Sequence, residues 1–174
     1  CPVVPMREDS INFVGAKYPN REETLQALVA AGLPVRAYGR AWSRHPYDIL
    51  RTKQFKDSGV PAGRDIDRSE AYGIMASSPA TLNIHNNQDG FTMRTFEAPG
   101  VGALQVIDRA DVDRYYIPGE EVLVYESIDE LIEICTRIFR EPKWARQIRE
   151  AGQKRTLAEH TFDQRVKILE QLWA

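Results

Sequence analysis

Apolar residues recur along this chain in short runs, and the runs alternate between two spacings. Short stretches rich in apolar and β-branched residues, bounded by turn residues, read as buried strands. Residues 11–15 (INFVG) form the first and end on glycine; residues 34–39 (PVRAYG) form the second. Residues 80–85 (ATLNIH), 103–107 (ALQVI) and 122–125 (VLVY) supply the rest. Between the strands the spacing turns helical. Leu25, Leu28 and Val29 share one face of a helix that opens near Asn20 and stops at Gly32. Asn20 with Glu23 three residues on predicts a capping box, Asn replacing the usual Ser or Thr. Further helices are predicted over 69–77, over 92–101, from Ser127 and Glu130 to Arg140, and from Pro142 to Ala158. A last amphipathic helix carries Phe162, Val166, Leu169 and Leu172. Residues 40–68 are rich in Arg, Lys, Asp, Gly and Pro and read as loops with a short helix.

The opening strand, helix and strand with tight loops favour a parallel sheet. The expected fold is α/β: a Rossmann-like, doubly wound parallel sheet of about five strands with a C-terminal helical tail. Residues 1–10 (CPVVPMREDS) read as a linker, and 11–174 as one domain.

Composition changes little: 174 residues, 43% hydrophobic and 28% charged, describe an ordinary globular domain. A formal net charge of −2 with no basic stripe argues against a nucleic-acid partner. No apolar run reaches the length of about 20 residues that a bilayer span needs, and no signal peptide is evident. These features predict a cytoplasmic location. Two cysteines are too few for a disulfide framework, and Cys135 falls in an apolar helical pattern that predicts a buried thiol. The start at Cys1 reads as a domain cut from a longer chain.

Ligands in open α/β sheets sit at the carboxyl ends of the strands. In the first loop there, residues 15–21 (GAKYPNR), Gly15 lets the backbone approach a ligand, and Lys17 and Arg21 offer charge to a phosphate. A plain turn with solvated cations explains the same residues. The second loop, residues 85–94 (HNNQDGFTMR), opens a helix at Thr92. Asp89 stands just before that helix, and Glu97 lies about a turn and a half inside it. Amides of Thr92, Met93 and Arg94 would meet a diphosphate, and the Glu97 carboxylate can accept from two ribose hydroxyls. A capping Asp and a surface Glu fit the same spacing. The pairs Asp65/Asp67 and Asp111/Asp113 read as loop or capping residues in preference to metal ligands. No metal site is expected. His85 can contact phosphate or sugar, or pack at the strand end; His45 and His160 read as structural, and Trp144 and Trp173 as packing for the tail helices.

Residues 89–98 (DGFTMRTFEA), followed by 102–106 (GALQV), resemble the Glu-x7-Glu segment of retaining group 1 glycosyltransferases. The wording is nearer still to the CgeB-like (spore maturation protein) branch. That branch carries F-V-G (Phe13 to Gly15), a helix-opening Arg (Arg21), L-N-I-H (Leu82 to His85), R-x-F-E-A (Arg94 to Ala98), G-E-E (Gly119 to Glu121) and H-T-F-x-x-R (His160 to Arg165). The likeness spans residues 11–172. It implies one half of a GT-B fold, the half that binds a nucleoside diphosphate sugar donor. No cofactor beyond that donor substrate is implied, and a separate N-terminal domain would supply the acceptor site. The resemblance makes Glu97 the ribose ligand and puts Asp89 near the transferred sugar. It sets Gly90, Phe91, Thr92 and Met93 against the diphosphate, and gives Arg21 the place of a cation that steadies the leaving group. Two positions depart: Asp89 stands for a Glu, and Ala16 for the Arg that partners Arg21's position, a role that Lys17 or Arg94 would have to take. Asp89 and Ala16 also suit a rival, a nucleotide-sugar-binding or interaction module without turnover. An epimerase half would need catalytic acids not evident here, and a flavodoxin-like signalling domain an acidic cluster after the first strand.

Overall fold

The computed structural model describes residues 9–85 and 89–173. Its sheet is built from β1 (Ile11–Val14), β2 (Val35–Tyr38), β3 (Ala62–Gly63), β4 (Thr81–Asn83), β5 (Gln105–Ile107) and β6 (Leu123–Val124). All the pairings are parallel, in the order β3-β2-β1-β4-β5-β6. The chain winds outward from β1 to β3, then crosses back to β4 and winds the other way. The switch point therefore lies between β1 and β4, where Phe13 pairs with Leu82. This is the doubly wound α/β sheet expected, with one strand more: β3, a two-residue edge that no apolar run announces.

Helices cover both faces, so strand residues are largely buried on either side of the pleat, Arg36 of β2 being exposed. Ile11, Leu25, Leu28, Leu104, Val106 and Leu131 are fully buried in the main core. Cys135 joins them at 0% exposure, and burial pushes its thiol up to about 12.

The helices are α1 (Pro19–Ala30), α2 (Pro46–Thr52), α3 (Arg68–Ser77), α4 (Arg94–Gly100), α5 (Ile128–Arg140), α6 (Pro142–Glu159) and α7 (Phe162–Trp173). Three details differ from expectation. The Asn20 box does not form, because Pro19 occupies the first helical position with its φ already set and Tyr18 is the cap. Asn20 is thus inside the helix, and its Oδ1 is buried with no partner among the described residues. Helix α4 starts at Arg94, two residues late, so Glu97 is its fourth residue and lies one turn in. On α7, Phe162 is 74% and Val166 49% exposed, and Trp173, expected to pack the tail helices, is 86% exposed. His160, read as structural, has its Nε2 2.9 Å from the Tyr115 carbonyl oxygen.

Other caps follow the sequence. Asp67 and Glu70 form a full capping box on α3, and Ser127 Oγ accepts from the Glu130 amide on α5. His45 caps α2 by accepting from the Tyr47 amide. Trp144 packs on the main core under the Arg137 guanidinium. The helical tail is tied back by α6. Arg149 donates to the carbonyls of Ala76, Ser78 and Pro79 at the end of α3, and Gly152 meets the carbonyl of Glu121. The expected linker lies, up to residue 8, outside the described residues, as do positions 86–88 of the second loop.

Candidate functional site

A cleft of about 780 Å³ opens at the carboxyl ends of β1 and β4, at the switch point. That volume lies within the usual range for small-molecule sites, about 300–1,000 Å³. Gly15 and Ala16 line it after β1, and Asn83 and Ile84 after β4. Thr92, Met93, Arg94 and Glu97 form the wall contributed by α4 and the turn before it. The opposite wall comes from residues 38–41 and 65–68, the stretch whose role the sequence left open.

Charge separates this cleft from the rest of the molecule. Four arginines line it (Arg21, Arg40, Arg68, Arg94) against three carboxylates (Asp65, Asp67, Glu97), an excess of one cation in a chain of net −2. Asp65 is ion-paired to Arg40 at 2.6 Å, and Asp67 is occupied as the α3 cap. Among the described residues no group of three or more His, Cys, Asp or Glu is placed to hold a metal ion.

Arg21 is the floor of the site. It rises from the first turn of α1, where Pro19 has already set the helix direction. Its Nε and Nη2 donate to the Ile84 carbonyl at 3.0 and 2.7 Å, and its Nη1 to the Ala16 carbonyl at 3.1 Å. The guanidinium lies 4.9 Å from the Tyr18 ring centre and 5.4 Å from that of Phe13. Burial lowers its pKa, while Tyr18 and Asp108 pull it back up. Three of its five N–H groups are thus spent on backbone. One side chain couples the loop after β1 to the end of β4.

Glu97 is held from two sides. Tyr72 Oη donates to its Oε1 at 2.7 Å, and Arg94 Nη1 stands 3.7 Å from its Oε2. Burial first, then this hydrogen bond, raises the Tyr72 pKa.

The short helix that carries Glu97 needs support, since Pro99 inside it has no N–H for the Thr95 carbonyl. Gln105 Nε2 on β5 fills that place at 3.3 Å. Gln105 Oε1 accepts in turn from Asn83 Nδ2 at 3.1 Å, which also donates to Thr95 Oγ1. His85, fully buried, extends the network: Nδ1 meets Asp108 at 3.1 Å and Nε2 meets Thr95 Oγ1 at 3.3 Å. The Thr92 amide donates to His85 Nε2, so the ring carries its proton on Nδ1.

The structure therefore gathers Gly15, Arg21, Thr92, Met93, Arg94 and Glu97 around the cleft. Five other candidates lie outside its lining. Lys17 pairs with Glu22 at 3.0 Å and lies over Trp42, outside the lining of the space its charge was expected to fill. His85 packs at the strand end beneath the loop. Asp89 and Gly90 are exposed, and Gly90 adopts φ +75°, a left-handed turn that favours glycine. Phe91 packs edge-on to His85 and Tyr115 under the Arg109 guanidinium. Arg109 Nη1 donates to the Gly90 carbonyl at 2.7 Å, and the same guanidinium binds Asp111, which lowers that carboxyl and raises Arg109. Asp111 is accordingly a loop anchor. Sequence reasoning missed Tyr72, Arg40 and Arg68, which carry no motif and reach the site only through the fold.

A family profile described as glycosyl transferase-like matches residues 21–171. The chain belongs to that family. No curated protein matches it. Among solved structures, this glycosyl transferase-like domain is similar to sucrose-phosphate synthase from Thermosynechococcus elongatus, at 17% identity and TM-score 0.68, over 98% of this chain and 47% of that one. It is similar to HepE from Anabaena, solved with UDP-glucose, at 14% identity and TM-score 0.70, over 96% and 49%. The C-terminal domain of a group 1 family protein, LpcC, from Francisella tularensis matches at 12% identity and TM-score 0.64, over 91% and 89%. The domain thus spans about half the length of the first two and nearly all of the third, and its fold is that of one half of a GT-B glycosyltransferase. Among the described residues no helix is long and apolar enough to cross a membrane.

Proposed function

We propose that this domain holds the nucleoside diphosphate sugar of a glycosyl transfer, with Glu97 on the ribose and the first turn of α4 toward the diphosphate. The observation that carries this is the placement of Glu97: one turn into α4, in a cleft at the switch point with excess positive charge. The complex of HepE with UDP-glucose lends support by analogy of fold. As the glycosidic bond to the donor breaks, positive charge grows at the anomeric carbon and negative charge on the departing diphosphate. Donors fixed in advance around that diphosphate stabilise the transition state. In this chain they are the Arg94 guanidinium, the two N–H groups that Arg21 keeps, and the Met93 and Arg94 amides at the start of α4, the Thr95, Phe96 and Glu97 amides being bonded to the Thr92 and Met93 carbonyls. Thr92 Oγ1, buried with no partner among the described residues, adds a hydroxyl beside them.

The reading extends to metal-independent transfer, to membership of the CgeB-like branch, to a cytoplasmic setting, and to an acceptor site on a separate N-terminal domain. The domain alone would then bind nucleotide weakly and transfer little. Asp89 is exposed and outside the lining, so the proposal rests on Glu97 and not on the pair of carboxylates. A second reading, a binding module without turnover, is favoured by Ala16 and Asp89.

Calorimetric titration with UDP, GDP and dTDP, without added metal, tests the proposal. One nucleotide should bind, and Glu97→Ala should weaken it at least about ten-fold, the cost of a hydrogen bond to a charged group. Silence with all three at millimolar concentration would remove the donor site.

A further inference from the structure

We propose that Tyr72 is a positioning residue for Glu97, and that it makes the cleft select a ribose over a sugar lacking its vicinal hydroxyls. This rests on the donor-site reading above and deepens it.

Tyr72 belongs to α3, one turn past Arg68, and its ring packs against the buried cluster of Ala71, Met75, Ala98 and Ala103. That packing fixes the ring, so the phenol oxygen arrives at one place. There it donates to Glu97 Oε1 at 2.7 Å, the short length of a charge-assisted bond. Tyr72 and Glu97 are 25 residues apart, so the contact also ties α3 to α4. Among the described residues the other oxygen has no comparable tether. Arg94 Nη1, at 3.7 Å from Oε2, is within ion-pair reach but beyond hydrogen-bond length, and it sits 3.5 Å from Met75 Sδ as well.

A carboxylate offers about four lone-pair sites. Tyr72 occupies one and leaves the rest for two adjacent hydroxyls, provided that the carboxylate plane stays where the ring holds it. Without the phenol hydroxyl, Glu97 is free to rotate toward Arg94, its neighbour one helical turn back. The competing ion pair then takes the face a diol would use. Burial and the bond itself raise the phenol's pKa, so Tyr72 remains a donor across the neutral range.

The test compares wild type, Tyr72→Phe and Glu97→Gln by calorimetric titration with UDP and GDP and with their 2′,3′-dideoxy counterparts. Tyr72→Phe keeps the ring and its packing, and thermal melting checks that it folds. Expected is a loss of about ten-fold for the ribonucleotide that binds, with less than about two-fold for its dideoxy analogue. Equal loss for both, or loss for neither, overturns the positioning role. If wild type binds neither UDP nor GDP, this inference falls; the donor-site reading falls with it only if dTDP is silent as well. If Glu97→Gln abolishes the ribose preference and Tyr72→Phe leaves it intact, the donor site stands and the inference alone fails.

Discussion

Gly152 of α6 lies so close to the carbonyl oxygen of Glu121 that no Cβ fits between them. Replacing a helical glycine by alanine ordinarily gains about 1 kcal/mol of helix propensity. Here the added methyl meets backbone, and the Glu121 segment cannot easily yield: the Glu121 amide and the Gly119 amide are already bonded, to Ile117 and Val122. Overpacking of this kind costs about 1–3 kcal/mol, which outweighs the gain. Gly152→Ala should therefore lower the unfolding free energy in urea; a rise would show that the two segments part freely.

Arg21→Lys separates charge from shape. Lysine keeps the cation but cannot reach the Ile84 and Ala16 carbonyls together, because it lacks the planar fork. The loops on either side of the switch point should loosen. We expect a lower melting temperature and about ten-fold weaker binding of the preferred nucleotide. An unchanged affinity would mean that only the charge matters.

The acid side of the stability curve should report Asp48. Its carboxyl accepts from Ser43 Oγ at 2.7 Å and from Arg64 Nε at 3.1 Å, and the Ser43 bond foremost holds it below the ordinary carboxylate range. A carboxyl depressed in the folded state contributes stability above its unfolded value, about 3.9, and that stability disappears as pH falls through the folded value. Asp48→Asn should melt lower than wild type at pH 7, and the two curves should converge below about pH 4. Parallel curves down to pH 3 would contradict the assignment.

Much of this architecture was legible in the chain. β1, β4 and β5 are buried nearly throughout, and β2 except at Arg36, so their apolar positions stand out between turn residues. The α3 and α5 caps are local, three residues from cap to partner, and local chemistry survives folding. β3 was invisible because two residues at an edge carry no periodicity. The onset of α4 was misjudged because Thr92 carries the chemistry of a cap, while its amide is drawn to His85 and the helix begins beyond it. Within the site, Glu97 and Arg21 were singled out through motif, since each stands in the first turn of a helix after a strand-end loop, in a segment that carries the resemblance. Lys17 misled because nothing in the order of residues says that Glu22, one turn on, captures it. Tyr72 was unreadable for the opposite reason: its partner is remote in sequence, and only the packing of α3 on α4 brings them together.

Cys135 offers a probe of global opening. Burial raises its thiol to about 12, so almost no thiolate exists at neutral pH, and the side chain is fully enclosed. In a Cys1→Ser background, a disulfide reagent at pH 8 should label the native protein only at the rate of unfolding, and urea should accelerate it in step with the loss of helix signal. Rapid labelling without urea would place the thiol in a region that opens on its own.

The helix bearing Glu97 is seven residues long and interrupted by proline, far too short to hold its own shape in water. Its direction is set from underneath, by Gln105, Asn83 and His85, all three buried. Recognition at the surface is in this sense inherited from the interior. A screen for variants that fold yet fail to bind should return these hidden amides and this imidazole alongside the residues that touch the ligand, and a designer who grafted only the visible loop onto another sheet would carry over the letters without the grammar.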